Sequence, residues 1–272
     1  MTTEAASTLR GYVNASGFPL QIAVANAVAS TVSRHGWKIR FQEHAWSHAS
    51  SGESGFIDMV LLNQAETVVF TIECKRAKDA NWIFLGDSTK THDCKHAKCF
   101  VFQKNGPETK RFSWVDLNVE PTTYESSFCV VRGTDPNSST LVERVGSHLV
   151  ISTESLALED KNLSLDDRWK LHIYFNLIVT TATLHICPLT ASDVSLKNGT
   201  VGDVPFHEVP YLRFRKQLST TYSVPEVFNT AGDSDVALAK ENTVFVVNSM
   251  HLVDFLTHFD LENGFPNAHY LV

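Results

Sequence analysis

No segment of this chain approaches the ~18 uninterrupted apolar residues of a membrane helix, and the opening "MTTEAASTLR" has no basic stretch leading into an apolar run. Those two gaps argue against membrane insertion and secretion, so a cytoplasmic protein with no membrane partner is expected. Cysteine is scarce: Cys74, Cys94, Cys99, Cys129 and Cys187 are odd in number and far apart, which suits reduced thiols better than a disulfide framework. There is no Gly-rich phosphate loop of the P-loop type and no Gly-x-Ser-x-Gly elbow, so a nucleotide motor and a serine hydrolase of that kind are unsupported. Net positive charge is absent too, at a formal charge of −7, so any attraction to a polyanion has to be local. With neither an internal repeat nor a low-complexity linker, a single α/β domain over 1–272 is favoured over two.

What is present is ample core material, 43% apolar residues in a chain of 272, and one basic segment. From Lys75 to Arg111 nine basic residues face four acidic ones. A solvated loop face explains such a cluster, and so does a phosphate-binding surface. Ahead of it, "SGFPLQIAVANAVASTVSRHGW" has Ser16 as a cap, apolar residues at helical spacing and Gly36 as a stop, which predicts a helix. "WKIRFQEHAW" alternates as a strand exposed on one face does. Phe56 to Leu62 and Thr67 to Cys74 read as two further strands joined by "NQAE".

Between Ala77 and about Asn137 the pattern weakens, and an irregular insertion with one or two strands is expected, "KCFVFQ" and "SSFCVVRG". "STLVERVGSHLVISTESLALED" returns to helical spacing, and "KLHIYFNLIVTTATLHICPL" reads as a buried strand. "NTVFVVNSMHLVDFLTHF" reads as a strand, an Asn248-Ser249 cap and a helix.

Three charged residues stand in the two central strands. Side chains alternate faces along a strand, so Glu73 and Lys75 share one face. A four-residue turn from Leu62 to Thr67 sets Asp58 opposite Thr71, and a two-residue turn sets it opposite Thr71 or Glu73; either way it shares that face, while Ile57, Met59, Ile72 and Cys74 turn to the core. An edge salt-bridge cluster would account for the three. So would a cation site, because two carboxylates brought together repel unless a cation joins them, and Mg²⁺ accepts one or two carboxylates plus phosphate oxygens and water. A lysine beside them can orient an attacking water and offset charge growing on a phosphate.

This order of helix, strand, strand with Asp58, strand with Glu73-Cys74-Lys75, then a later helix and strand resembles the PD-(D/E)XK nuclease superfamily. The resemblance implies a central mixed β-sheet flanked by helices, a restriction-endonuclease-like αβββαβ core at about 16–76 and 138–187. The insertion at about 77–137 and a C-terminal strand-helix extension at about 188–272 lie outside it. It implies a Mg²⁺-dependent nuclease, with Mn²⁺ able to substitute, in which Asp58, Glu73 and the backbone carbonyl of Cys74 hold the metal and Lys75 is catalytic. "Ile57-Asp58" stands where the superfamily's name has Pro-Asp. No acid lies on the first helix between Phe18 and Arg34, so Gln21 or Asn26 on that helix, or Glu43 on the strand after it, would have to support the site.

Arg76 and Lys78 are candidates for nucleic-acid backbone contacts, and Trp82 for base stacking, with DNA favoured over RNA as partner and a homo-oligomer possible in principle. A Trp there is otherwise a core anchor. The rival functions are a nuclease-fold binding or regulatory module that does not cut, and a defence effector switched on by a partner or ligand. Two smaller constellations complete the reading. His92, Cys94, His96 and Cys99 offer zinc ligands without a paired CxxC knuckle, and Arg213, Arg215 and Lys216 offer a second nucleic-acid face or an amphipathic edge strand.

Overall fold

The computed structural model describes residues 3–48, 51–77, 80–87, 93–132, 140–164, 168–218 and 237–262. Helix α1 (Thr3–Ala15) precedes α2 (Phe18–Ser30). Pro19 sits in the first turn of α2, where its missing N–H is harmless, and Leu20, Val24 and Val28 form a buried stripe at four-residue spacing. Ser16 does not cap this helix. Its hydroxyl donates to the Val13 carbonyl at 2.7 Å, and Gly17 holds the N-cap position. A single turn, α3 (Val32–His35), stops at Gly36 as expected, with φ at 74°.

Three antiparallel strands follow, β1 (Lys38–His48), β2 (Glu53–Leu62) and β3 (Val68–Lys75). The β2–β3 turn is held by Asn63, whose side-chain oxygen accepts from the amides of Thr67 and Val68 at 2.9 and 3.0 Å. This fixes Leu62 opposite Val69 and Met59 opposite Ile72. Of the two placements the sequence left open, opposite Thr71 or opposite Glu73, this register selects the second: Asp58, one residue beyond the last pair, lines up with Glu73. Either placement keeps the paired side chains from Met59 to Leu62 on the same faces.

The segment expected to be irregular is mostly strand: β4 (Asn81–Asp87), β5 (Cys94–Asn105), β6 (Glu108–Thr123), β7 (Glu125–Ser126) and β8 (Phe128–Arg132). The long β5–β6 hairpin joins the central sheet, β5 lying antiparallel to the first half of β9 (Lys170–Thr180). The apolar run expected as one strand is two. It breaks at Thr181-Ala182, and β10 (Thr183–Leu189) leaves for a second sheet of order β11 (His207–Val209), β10, β4, β8.

The central ten-stranded sheet is mixed. Its main path runs β1, β2, β3, β9, β13 (Asn242–Asn248), β12 (Tyr211–Lys216), β7, with β5, β6 and the short β14 (Asp260–Leu261) alongside. Between β3 and β9, which run parallel, the chain passes through α4 (Leu141–Leu163). At the end, Asn248 caps the chain as expected, its side chain accepting from the Met250 amide, before α5 (Leu252–His258).

Two cores flank the sheet. On one face α2 and α5 pack with Met59, Phe70, Ile72, Cys74 and Phe245. On the other, Val145, Leu149 and Val150 of α4 pack with Ile178 and Val244 and with Trp82 and Phe84 of the second sheet, while Ile151 and Leu156 meet Val60 and Val69. The architecture is mixed α/β, a mixed central sheet with helices on both faces. Among the described residues no helix is long and apolar enough to cross a membrane.

Candidate active site

The face of β3 turned toward α4 carries Val69, Thr71, Glu73 and Lys75 in alternation. Thr71 fixes that face: its hydroxyl meets the Thr153 hydroxyl of α4 at 2.6 Å, and Thr153 donates to the Asn176 side chain of β9 at 2.7 Å. Glu73, two residues on, is the first charge along this face. Its side chain is 12% exposed and Oε1 lies 2.5 Å from Lys75 Nζ, whose side chain is 34% exposed.

Beyond Met59 and Ile72 the β2–β3 pairing ends, and Asp58 fills the place of the missing ladder bond. Its Oδ2 accepts from the backbone amide of Cys74 at 2.6 Å. Of the four neighbours expected in the core, Met59, Ile72 and Cys74 pack with α2, but Ile57 packs with the α4 side, next to Trp46 and Ile151. The alternation of β2 thus slips at Asp58, turning it to the strand end rather than fully onto one face.

Electrostatics mark the same spot. Burial and then the neighbouring Glu73 push the Asp58 carboxyl up to about 6, against the opposing pull of the Cys74 amide and of Lys75, and Glu43 adds a smaller push. Glu43 is exposed on β1 with φ at 50°, a left-handed conformation uncommon for a glutamate. So Asp58, Glu73, Lys75 and Glu43 are brought together. Gln21 is not brought there by its helix, since the buried stripe of α2 packs on the opposite face of the sheet.

Arg76 is exposed directly after the strand, as a nucleic-acid contact needs, while Lys78 and His92 lie outside the described residues. Trp82 is not a stacking surface. It is 1% exposed and packs in the core with Phe84, Val131 and Leu149, because β4 belongs to the second sheet's inner face.

Among the described residues the local excess of positive charge does not form one face either. Lys95 pairs with Glu120 and Glu262, Lys98 with Asp116 and Lys110 with Glu108, and buried Lys104 donates to the Ser164 carbonyl. Arg213 is fully buried and donates to the carbonyls of Pro121 and Val119, Arg215 pairs with Asp116 and Glu241, and Lys216 with Glu143. That strand is no second nucleic-acid face. The zinc reading of the cysteines also fails in its described part: Cys99 is buried and donates to the Val115 carbonyl, Cys94 donates to Glu125, and His96 is exposed.

No family model, curated protein or solved structure matches this chain.

One residue the sequence reading missed lies within electrostatic reach of the site. His148 of α4 is half-buried, wedged edge-on against Trp46 with ring centroids 4.9 Å apart. A Cβ at Gly55 would lie 3.0 Å from His148 Nε2. Only a glycine in β2 lets the imidazole approach the strand that carries Asp58. Burial and then Lys75 lower the His148 pKa, while Glu53 and Asp58 pull it up. Gly55 was the available signal, since a glycine inside a strand marks a close approach.

Among the described residues no group of three or more His, Cys, Asp or Glu side chains is gathered for a metal. The donors present are the oxygens of two adjoining carboxylates, one of them held protonated up to about 6 by burial and by the other. Such a set fits a hard cation that keeps most of its waters.

Proposed function

We propose that the Asp58–Glu73–Lys75 site hydrolyses phosphodiester bonds of nucleic acid, DNA more readily than RNA, as a Mg²⁺-dependent nuclease with Mn²⁺ as a substitute. The observation that carries the reading is the convergence of two carboxylates and a lysine where β2 and β3 part, with Asp58 anchored on the Cys74 amide at 2.6 Å. The chain order α2, β1, β2, β3, then α4 and β9 supports a restriction-endonuclease-like core. Asp58 and Glu73, with the Cys74 carbonyl as a third oxygen, would hold the cation, which supplies Lewis-acid polarisation of the phosphate and a more acidic water.

The chain's own residues do the rest. Lys75 Nζ, now on Glu73, is placed to shift to a phosphate oxygen and oppose the charge that grows there as water attacks in line. His148, neutral at pH 7 by virtue of burial and Lys75, is the nearby base for the water's proton. Water adds to phosphorus, the bridging P–O bond breaks, and a phosphate monoester and a hydroxyl leave. The same Lys75–Glu73 pair at 2.5 Å also suits a static ion pair in a nuclease-fold module that binds without cutting.

A panel of single- and double-stranded DNA and RNA, incubated with Mg²⁺, Mn²⁺ or EDTA, separates the two. Cutting that requires the metal is expected. Binding retained in EDTA with no cutting of any substrate would move the assignment to the non-cutting module.

A further inference from the structure

At the opposite end of the sheet, where β3 and β9 begin, lies a cavity of about 460 Å³ lined by Thr67, Ser164, Trp169, Lys170 and His172, with Arg168 and Glu66 at its wall. It is separated from Glu73 by six strand residues, on the order of 20 Å, so it is not part of the hydrolytic site.

His172 is prepared for a ligand by groups beneath it. Asp160, 2% exposed, accepts from Arg40 at 2.8 and 2.5 Å and from the Tyr174 hydroxyl at 2.6 Å. After burial, which opposes it, the Arg40 and His172 contacts hold the Asp160 carboxyl well below the usual range. His172 Nδ1 faces Asp160 Oδ2 at 3.1 Å and the Tyr174 oxygen at 3.0 Å. The Tyr174 proton is committed to Asp160, and an ionised carboxylate only accepts. Nδ1 therefore carries a proton, and Nε2 is the ring nitrogen left for a ligand on a side chain that lines the cavity.

The other walls add complementary chemistry. Trp169 is 49% exposed, whereas Trp37, Trp46 and Trp82 are at most 5% exposed, and it is flanked by Arg168 and Lys170. An indole face suits a planar ring, Lys170, whose Nζ donates to the Ser164 hydroxyl at 3.0 Å, suits an anion that accepts from the same ammonium, and the volume falls in the range of small-ligand sites.

We propose that this cavity binds a nucleoside monophosphate, the ring stacked on Trp169 and hydrogen-bonded to His172 Nε2, the phosphate beside Lys170. Calorimetric titration of the full chain with the four ribonucleoside 5′-monophosphates, and with inorganic phosphate alone, tests it. At least one nucleotide is expected to bind with Kd below about 1 mM, weakened roughly tenfold or more, about 1.4 kcal/mol, in Trp169→Ala and in Lys170→Met, and unchanged in Asp58→Asn. The proposal is overturned if no nucleotide binds, if phosphate alone binds as tightly, if both cavity variants bind like the wild type, or if Asp58→Asn abolishes binding. Because the readout is binding at a distance from Asp58, its outcome is independent of whether the protein cuts nucleic acid.

Discussion

Asp58 is held by opposing forces. The Cys74 amide and Lys75 favour its carboxylate, yet burial and Glu73 outweigh them and raise its pKa from 3.8 to about 6. A native group that binds its proton more tightly than the unfolded chain does makes stability fall as pH rises between those two values. The full penalty, roughly 2–3 kcal/mol from the two-unit shift, is present above pH 6 and gone below pH 4. Asp58→Asn keeps an oxygen for the Cys74 amide and loses the charge. Denaturant unfolding of the metal-free protein should therefore find this variant more stable than wild type at pH 7.5 and equal to it near pH 4; a variant less stable at pH 7.5 would mean the buried charge is well compensated.

The types of Asp58, Glu73 and Lys75 and the shared face of Glu73 and Lys75 were legible in the sequence because the two-residue period of a strand does not depend on register; the slip of β2 at Asp58 was not. The fates of Trp82, Lys98 and Arg213 were not. Whether a tryptophan stacks or packs, and whether a lysine meets a phosphate or Asp116, depends on partners far along the chain.

At the scale of elements, the site depends on α4 meeting β2. Gly55 sits at that crossing, with a prospective Cβ 3.0 Å from His148 Nε2 and 3.4 Å from Trp46 Nε1. Gly55→Ala should destabilise the wild type by about 1 kcal/mol, the usual low end of overpacking. In a His148→Ala background the same change should stabilise by roughly 0.5–1 kcal/mol, since only the backbone benefit of removing a glycine remains. Thermal unfolding of the four proteins checks the change of sign, and a cost independent of residue 148 would place the crowding elsewhere.

Helices α2, α4 and α5 and strands β1, β2 and β3 were readable from periodicity, because α2 and β1 each keep one exposed face; α1 was not read. Strands buried on both sides carry no such alternation, so the break at Thr181-Ala182 inside one apolar run went unseen. So did the β5–β6 hairpin, whose pairing with β9 is set by residues about 70 positions apart, such as Phe100 and Tyr174.

For the molecule as a whole, charge is organised by pairing across elements. Asp160 of α4 joins Arg40 of β1 to His172 and Tyr174 of β9, tying one helix to two strands that are not neighbours in the sheet. Its depressed pKa has the opposite consequence to that of Asp58: the unfolded chain takes up a proton near pH 4 that the native protein refuses, so this stability is present above about pH 4 and lost as pH falls further. Asp160→Asn should flatten the acid limb of the stability curve and lower stability by about 3 kcal/mol at pH 7, because Arg40 loses its charged partner. Acid titrations followed by circular dichroism would show it, and an unaltered acid limb would contradict the assignment.

The central claim, that Asp58, Glu73 and Lys75 form one hydrolytic centre, is tested most directly by Lys75→Met and Asp58→Asn in the metal-dependent cleavage assay, each matched to wild type for folding. Both should lose about 100-fold or more in cleavage rate, Asp58→Asn doing so while being the more stable protein at pH 7.5. Cleavage at wild-type rates in both variants would contradict the account.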